Sequence, residues 1–282
     1  MENAWGDLER PPLRALPLRR ALVGPHGWAA LTVVAGTGST NADLLARTGA
    51  LDATVLVADH QDSGRGRLGR TWSAPPRSSL AVSVLLRPTT APEWWSWLPM
   101  LTGVAVVEAL TGLGVDAGLK WPNDVLVTGP GRPGKVCGIL AEMRPASDAE
   151  GARVVLGAGI NVSQCLEELP SPLQSAAGSS SPATSLALAG ARSTDRDTVL
   201  RSYLRALRES LQRWASQPES VRDAYRARSA TIGTDVRAQL PDGCVLVGRA
   251  VDVDATGRLV IETSDGTATS LTAGDVVHLR RG

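Results

Sequence analysis

Residues 64–72 read GRGRLGRTW. The first six, GRGRLG, satisfy G-x-G-x-x-G, the spacing of a dinucleotide-binding loop. Such a loop must open a helix, yet Gly69 is followed by RTWSAPPRSS, and Pro75–Pro76 forbids a helix there. It also needs an acidic residue about 20 positions further on, closing the second strand. After Asp62 the next acid is Glu93, which begins a helical stretch. The glycines of a dinucleotide loop let bare backbone approach pyrophosphate; here Arg65, Arg67 and Arg70 fill the gaps. The doubly wound nucleotide-binding sheet is therefore rejected. Three guanidinium groups on a glycine-flexed loop are either solvated surface charge or an anion clamp. Guanidinium grips phosphate through two parallel, charge-strengthened hydrogen bonds.

Outward from this loop, strands and helices come in mixed order. LTVVAG (31–36) and ATVLVAD (53–59) read as strands flanking STNADLLARTG (39–49), a helix that Ser39 or Thr40 can cap. Residues 60–79 form a long polar loop, followed by a buried strand, LAVSVLLRP (80–88). EWWSWLPMLTGVAVVEALTGLG (93–114) has helical period. LKWPND (119–124) precedes short strands at DVLVT, KVCGILAEM (135–143) and VVLGAGINV (154–162). No helix separates these strands, so this half of the sheet is expected to be antiparallel. Residues 163–190, rich in Ser, Pro, Ala and Gly, read as a long mobile loop of the kind that forms lids. DRDTVLRSYLRALRESLQRWAS (195–216) is amphipathic, with Leu200, Leu204, Leu207 and Leu211 on one stripe. Beyond residue 231 the pattern becomes short strands with turns at ATGR and SDGT, a small β-barrel. The expected class is α+β: a mixed sheet flanked by helices over 31–228, a β-barrel domain over 229–282, and an extension over 1–30.

Bulk composition narrows the function classes. The 282 residues carry a net charge of +1, with 43% hydrophobic and 20% charged residues, as in a soluble globular protein. No global field recruits nucleic acid or an acidic membrane, so any cationic site is local. Cys137, Cys165 and Cys244 are far apart and odd in number. They argue against a disulfide framework and a zinc cluster, and a reducing cytoplasm is the simplest compartment. No signal peptide or membrane span is expected. Of 29 basic residues only Lys120 and Lys135 are lysine, and asparagine occurs only at Asn3, Asn41, Asn123 and Asn161. In a chain that has drifted toward arginine, a surviving lysine points to work that arginine cannot do. Lysine offers a compact point charge on a flexible stem.

GRGRLGRTW, the downstream KWPND and KVCGIL, the upstream STN, GAGINV and the C-terminal β-module stand in the order of one family's motifs. From about residue 31 to its end, the chain resembles the biotin protein ligases. The resemblance implies a class II synthetase-like catalytic domain, of the biotin and lipoate ligase type, with an SH3-like C-terminal domain. The DNA-binding head that some members carry at the N-terminus is missing here, which argues against repressor activity. The implied reaction is ATP-dependent C–N ligation. Biotin and ATP give biotinyl-5′-AMP, and a lysine on a biotin carboxyl carrier domain of an acyl-CoA or pyruvate carboxylase then takes the biotin.

By resemblance, Ser39, Thr40 and Gln61 hold the ureido ring of biotin, with Asn41, Gly64, Arg65, Gly66, Arg67, Lys135 and Gly138 completing the biotin site. The ATP site takes Arg67, Arg70, Trp72, Lys120, Asn123, Lys135 and Asn161. Arg65, Arg67, Lys120, Lys135 and Asp124 are the candidate catalytic residues. Lys135 bridges the biotin carboxylate and the α-phosphate, and Lys120 stabilises the adenylate side. Asp124 orients or deprotonates the acceptor amine, whose ordinary pKa is about 10.4. Other readings stay open: helix capping for Ser39, Thr40 and Asn41, core packing for Trp72, and turn roles for Asn123, Asp124 and Asn161. Triphosphate chemistry calls for Mg²⁺. No carboxylate cluster names its ligands, and Glu142 is a weak candidate. The expected state is a monomer or weak homodimer with no DNA or membrane partner. The alternatives are a lipoate-type adenylating ligase on the same fold and a nucleic-acid-binding module. Net charge argues against the latter, because backbone binding needs several phosphate contacts.

Overall fold

The structure, a computed structural model, describes residues 10–145, 151–170, 181–240, 243–272 and 274–279. A seven-stranded sheet organises the chain up to residue 161. Its strands are β1 (Ala30–Val34), β2 (Thr54–Ala58), β3 (Ser79–Leu86), β4 (Ala117–Lys120), β5 (Asp124–Val127), β6 (Gly134–Arg144) and β7 (Arg153–Asn161), in spatial order β1-β2-β3-β7-β6-β5-β4. Only β1 and β2 run parallel; all other neighbours are antiparallel, as the lack of crossover helices requires.

Strand alternation gives the central strands two destinations. Leu80, Val82, Val84 and Leu86 of β3, with Leu156, Ala158 and Ile160 of β7, enter the main core. That core lies under helices α3 (Trp97–Gly112) and α4 (Arg196–Ser216). Asp195 caps α4 by accepting from Thr198 N at 3.0 Å. The predicted stripe of α4 is buried at Leu200, Leu204 and Leu207 and partly buried at Leu211. Each fully buried leucine contributes roughly 1.5–3 kcal/mol relative to exposure. On the opposite face Leu85 and Val155 meet Leu44 of the short helix α2 (Thr40–Ala46) in a small second core. Beyond that cluster the same face carries Ala81 and Ser83 of β3 and Gly157 and Gly159 of β7.

Three elements lie outside the sequence expectation. Residues 13–28 of the expected extension pack onto the main core. Helix α1 (Ala15–Leu22) buries Leu18 and Leu22, and Leu13 and Trp28 join the same core. Pro17 lies in its first turn, where the missing N–H costs nothing. Helix α5 (Pro218–Arg228), with Pro218 at its start, packs Tyr225 edge-on against Trp97 at 5.8 Å. Strand β4 carries Lys120 where no strand was expected. The predicted helix over 93–114 divides into a 3-10 turn at Pro92–Trp94 and α3.

The 163–190 segment is not a loop throughout. Thr184 and Ser185 are fully buried, Lys135 N donates to Pro182 O at 2.7 Å, and Thr184 N donates to Lys135 O at 2.9 Å. The centre of the proposed lid, 171–180, lies outside the described residues. Leading into the segment, Glu168 pairs with Arg10 at 2.6 Å. The Arg10 guanidinium holds the Glu168 carboxyl down to about 2 from the usual 4.5. A depressed carboxyl stabilises the fold above its unfolded value and loses that contribution as pH falls toward the folded value. Both side chains are about a quarter exposed, so the pair contributes about 1 kcal/mol. Glu168→Gln is expected to lower the melting temperature at pH 7, and the difference from wild type should close between pH 4.5 and 2 in a thermal-denaturation series.

Five strands follow: β8 (Asp235–Gln239), β9 (Val245–Val253), β10 (Leu259–Glu262), β11 (Ala268–Leu271) and β12 (Asp275–His278). They form a separate antiparallel sheet in the order β11-β10-β9-β8-β12. Its β9–β10 turn plugs onto the start of α3. Trp97 Nε1 donates to Ala255 O at 2.8 Å, and Trp121 Nε1 to Gly257 O at 3.1 Å. Gly257 has φ +81°, and a Cβ there would strike the end of Met100, so the ATGR turn needs its glycine twice over.

Candidate active site

A cavity opens over β3, β7 and β6 on the face opposite the main core. Its floor is bare backbone. Gly138 pairs with Gly159, and Leu140 with Gly157, across β6 and β7. A Cβ on Gly157 would collide with the Asn41 amide, and one on Gly159 would enter the Trp72 ring. The glycines of GAGINV therefore let an amide and an indole lie directly on the sheet, which is a close-approach role.

One wall is the start of α2. Ser39 caps the helix, accepting from Ala42 N at 3.4 Å, while Gln61 Oε1 accepts from Thr40 N at 2.9 Å and from Thr40 Oγ1 at 3.0 Å. Capping and pocket lining thus coexist. Beneath them the fully buried Ser83 hydroxyl lies 2.7 Å from Thr40 Oγ1 and donates to Asn41 Oδ1 at 2.6 Å. Asn41 Nδ2 donates in turn to Glu142 Oε2 at 2.9 Å. Sequence reasoning missed Ser83; its signal was a hydroxyl in the middle of an otherwise apolar strand interior.

The arginine loop makes the second wall. It closes as a tight hairpin rather than a helix start: Trp72 N donates to Gly64 O at 2.8 Å, and Gly66 N to Arg70 O at 2.6 Å. Leu68 and Gly69 carry φ of +55° and +74° at the tip. Gly64 shapes the loop and does not itself line the cavity; a Cβ there would press on Trp72 O. Arg65, Arg67 and Arg70 all line it. Arg65 Nη1 is 3.4 Å from Glu142 Oε1, and Arg67 Nη1 donates to Asn123 Oδ1 at 3.3 Å.

The third wall is the KWPND turn and the start of β6. Lys120 is 6% exposed. Asn123 is pinned to β6, its Nδ2 donating to Ile139 O at 2.7 Å and its carbonyl accepting from Ile139 N at 2.9 Å. Lys135 Nζ is 2.7 Å from Asp124 Oδ1 and 5.8 Å from the centre of the Trp72 ring. Asp124 therefore lies against Lys135. Trp121, Pro122 and, from the C-terminal sheet, Val276 complete this side.

The sequence-predicted residues thus converge, with two departures. Gly64 stands behind its loop, and Asn161 is buried away from the cavity. Asn161 Nδ2 donates to Thr184 O at 2.9 Å and its Oδ1 accepts from Gln164 Nε2 at 2.9 Å, so the 181–186 segment covers it. Glu142 is engaged by Asn41 and Arg65, and among the described residues no group of three His, Cys, Asp or Glu side chains is placed to hold a metal ion. Five basic side chains, Arg65, Arg67, Arg70, Lys120 and Lys135, face the cavity against one carboxylate, Asp124. A chain of net charge +1 thus concentrates cations around a neutral, amide-lined recess, a site suited to a polyanion joined to an uncharged polar ring.

Residues 35–161 match the model of the Biotin/lipoate A/B protein ligase family, and residues 231–279 that of the Biotin protein ligase C terminal domain. A biotin–[acetyl-CoA-carboxylase] ligase of Mycobacterium tuberculosis is 42% identical over 97% of this chain and 98% of its own length. The bifunctional ligase/repressor BirA of Bacillus subtilis is 32% identical over 79% of this chain and 65% of its own. A solved biotin protein ligase from Aquifex aeolicus, in complex with biotin and ATP, superposes with a TM-score of 0.72 at 28% identity, covering 90% of this chain and all of that one. By these matches this chain is a member of the biotin protein ligase family.

Proposed function

We propose that the chain joins biotin to a lysine of a carboxylase carrier domain in two half-reactions. In the first, a biotin carboxylate oxygen attacks the α-phosphorus of ATP; the new P–O bond forms as the α–β bond breaks and pyrophosphate leaves. In the second, the carrier amine attacks the acyl carbon; a C–N bond forms, the acyl C–O bond breaks, AMP leaves and the amine loses its proton. The observation that carries this reading is the convergence of Arg65, Arg67 and Lys135 on one cavity beside the Ser39–Thr40–Gln61 cluster.

Preorganised cations stabilise charge that spreads over the α-phosphate without reorganising at the moment of reaction. Lys135, aimed by Asp124, bridges carboxylate and phosphate. Arg65 and Arg67 retain the acyl-adenylate. Lys120, Asn123 and Arg70 serve the nucleotide side, and Trp72 stacks on ligand across the glycine floor. Asp124 orients Lys135 in the first step. Mg²⁺ arrives with ATP as substrate, held by phosphate oxygens, since the carboxylates of the site are committed to Lys135 and Arg65. Among the described residues no helix is long and apolar enough to cross a membrane. We place the reaction in the cytoplasm, performed by a monomer or weak homodimer without DNA.

Purified protein incubated with biotin, ATP and a carrier domain is expected to raise the carrier's intact mass by one biotinyl group. An unmodified carrier, in a preparation that an active ligase labels, contradicts the reading. Lipoate competing as well as biotin in pyrophosphate exchange would redirect it to the lipoate-type alternative.

A further inference from the structure

The turn carrying Lys120, Asn123 and Asp124 is held from behind by the C-terminal domain. Trp121, 2% exposed, donates its backbone N–H to Thr231 Oγ1 at 3.0 Å. Thr231 is fully buried, and its Oγ1 lies 3.0 Å from His278 Nε2 at the end of β12. The Thr231 hydroxyl thus pairs with both Trp121 N–H and His278 Nε2, giving or taking the second proton according to the ring tautomer. Burial, and next the Lys120 ammonium, push the His278 imidazole down to about 4, which keeps the ring neutral at neutral pH. Alongside, Ala230 N donates to Leu119 O at 2.8 Å, and Ser229 makes an isolated parallel bridge to Leu119 of β4.

The bond network therefore passes from β12, through one hydroxyl, to the backbone between Lys120 and Pro122. Its two side chains, Thr231 and His278, do not line the cavity. We infer that Thr231 and His278 are positioning residues for the nucleotide half of the active site: they set the register of the Lys120–Asp124 turn, and through it the cations that meet the triphosphate. The wall assigned to the ureido ring is built from α2, Gln61 and Ser83 of β3 and has no part in this network. The two halves of the site should therefore respond differently when the network is cut. A generally loosened fold would disturb both.

This inference rests on the ligase reading, and the experiment separates the two. Biotin-dependent ATP–pyrophosphate exchange is measured for wild type, Thr231→Val, Thr231→Ser and His278→Leu, with biotin affinity read from tryptophan fluorescence. Thr231→Val keeps the volume and removes the hydroxyl; retained biotin binding reports that it folds. His278→Leu carries the same test from the other end of the network. The expected result is an ATP KM raised about tenfold in Thr231→Val and His278→Leu, as for loss of one buried hydrogen bond. Biotin affinity should stay within twofold, and Thr231→Ser should return the ATP KM to near wild type. An unchanged ATP KM in both variants overturns the inference, as does an equal rise for ATP and biotin, or a serine variant as impaired as valine. Wild-type protein with no exchange overturns the ligase reading and this inference with it.

Discussion

Lys135→Ala is expected to slow biotin-dependent pyrophosphate exchange by about 10²–10³-fold, the scale for removing one preorganised charge from a developing anion. The expectation rests on how firmly the ammonium is placed. Its backbone is pinned on both sides, by Pro182 O at 2.7 Å and Thr184 N at 2.9 Å. Its Nζ is aimed by Asp124 at 2.7 Å and borders the Trp72 ring. Lys135→Arg should recover little. A planar fork must satisfy Asp124 and the phosphate with fixed donor directions, whereas an ammonium follows the oxygen as charge moves. The arginine loop already supplies guanidinium groups, so the surviving lysine is informative about what the site needs. Exchange within threefold of wild type in Lys135→Ala, measured at saturating biotin and ATP, would remove Lys135 from the first step.

Gly159→Val is expected to cut kcat/KM for biotin by about 100-fold while leaving a folded protein. Overpacking costs typically 1–3 kcal/mol, and here it falls on one neighbour. A side chain at Gly159 enters the space of the Trp72 indole, which lies on the β7 backbone. A ring pushed off the strand moves into the cavity it lines and toward Lys135, at the expense of space for biotin. A double-mutant cycle isolates this cause. In a Trp72→Ala background the added valine meets open space, and its extra penalty should fall below about threefold. An equal penalty with and without the indole would show that Gly159 acts through the strand instead of through Trp72.

The parts legible in the sequence were those whose chemistry is carried by side chains in short runs. GRGRLGRTW, KWPND and the two lysines declared a cationic site because few other arrangements use those residues together. The antiparallel half of the sheet was legible from the missing helices. What escaped has particular causes. Helix α1 was hidden by Pro17, which is harmless in a first turn but reads as a breaker. Helix α5 is short and largely polar, so its two buried anchors, Val221 and Tyr225, gave little period. Ser83 looked like noise in a strand because its partners, Thr40 and Asn41, lie 43 and 42 residues away. Asn161 shares the strand face of Gly157 and Gly159, yet residues 181–186 cover the end of β7, and no strand pattern reports a distant cover. The Thr231–His278 link joins residues 47 apart, each unremarkable alone.

The central claim is that Arg65, Arg67 and Lys135 act together on one acyl-phosphate. Its most direct test is retention of nucleotide label after mixing protein, biotin and α-labelled ATP and passing the mixture rapidly through a desalting column. Wild type should carry about one labelled adenylate per chain, Lys135→Ala almost none, and Arg65→Ala or Arg67→Ala an adenylate that forms and then drains away within the run. Wild-type-like retention in all three variants would contradict the account.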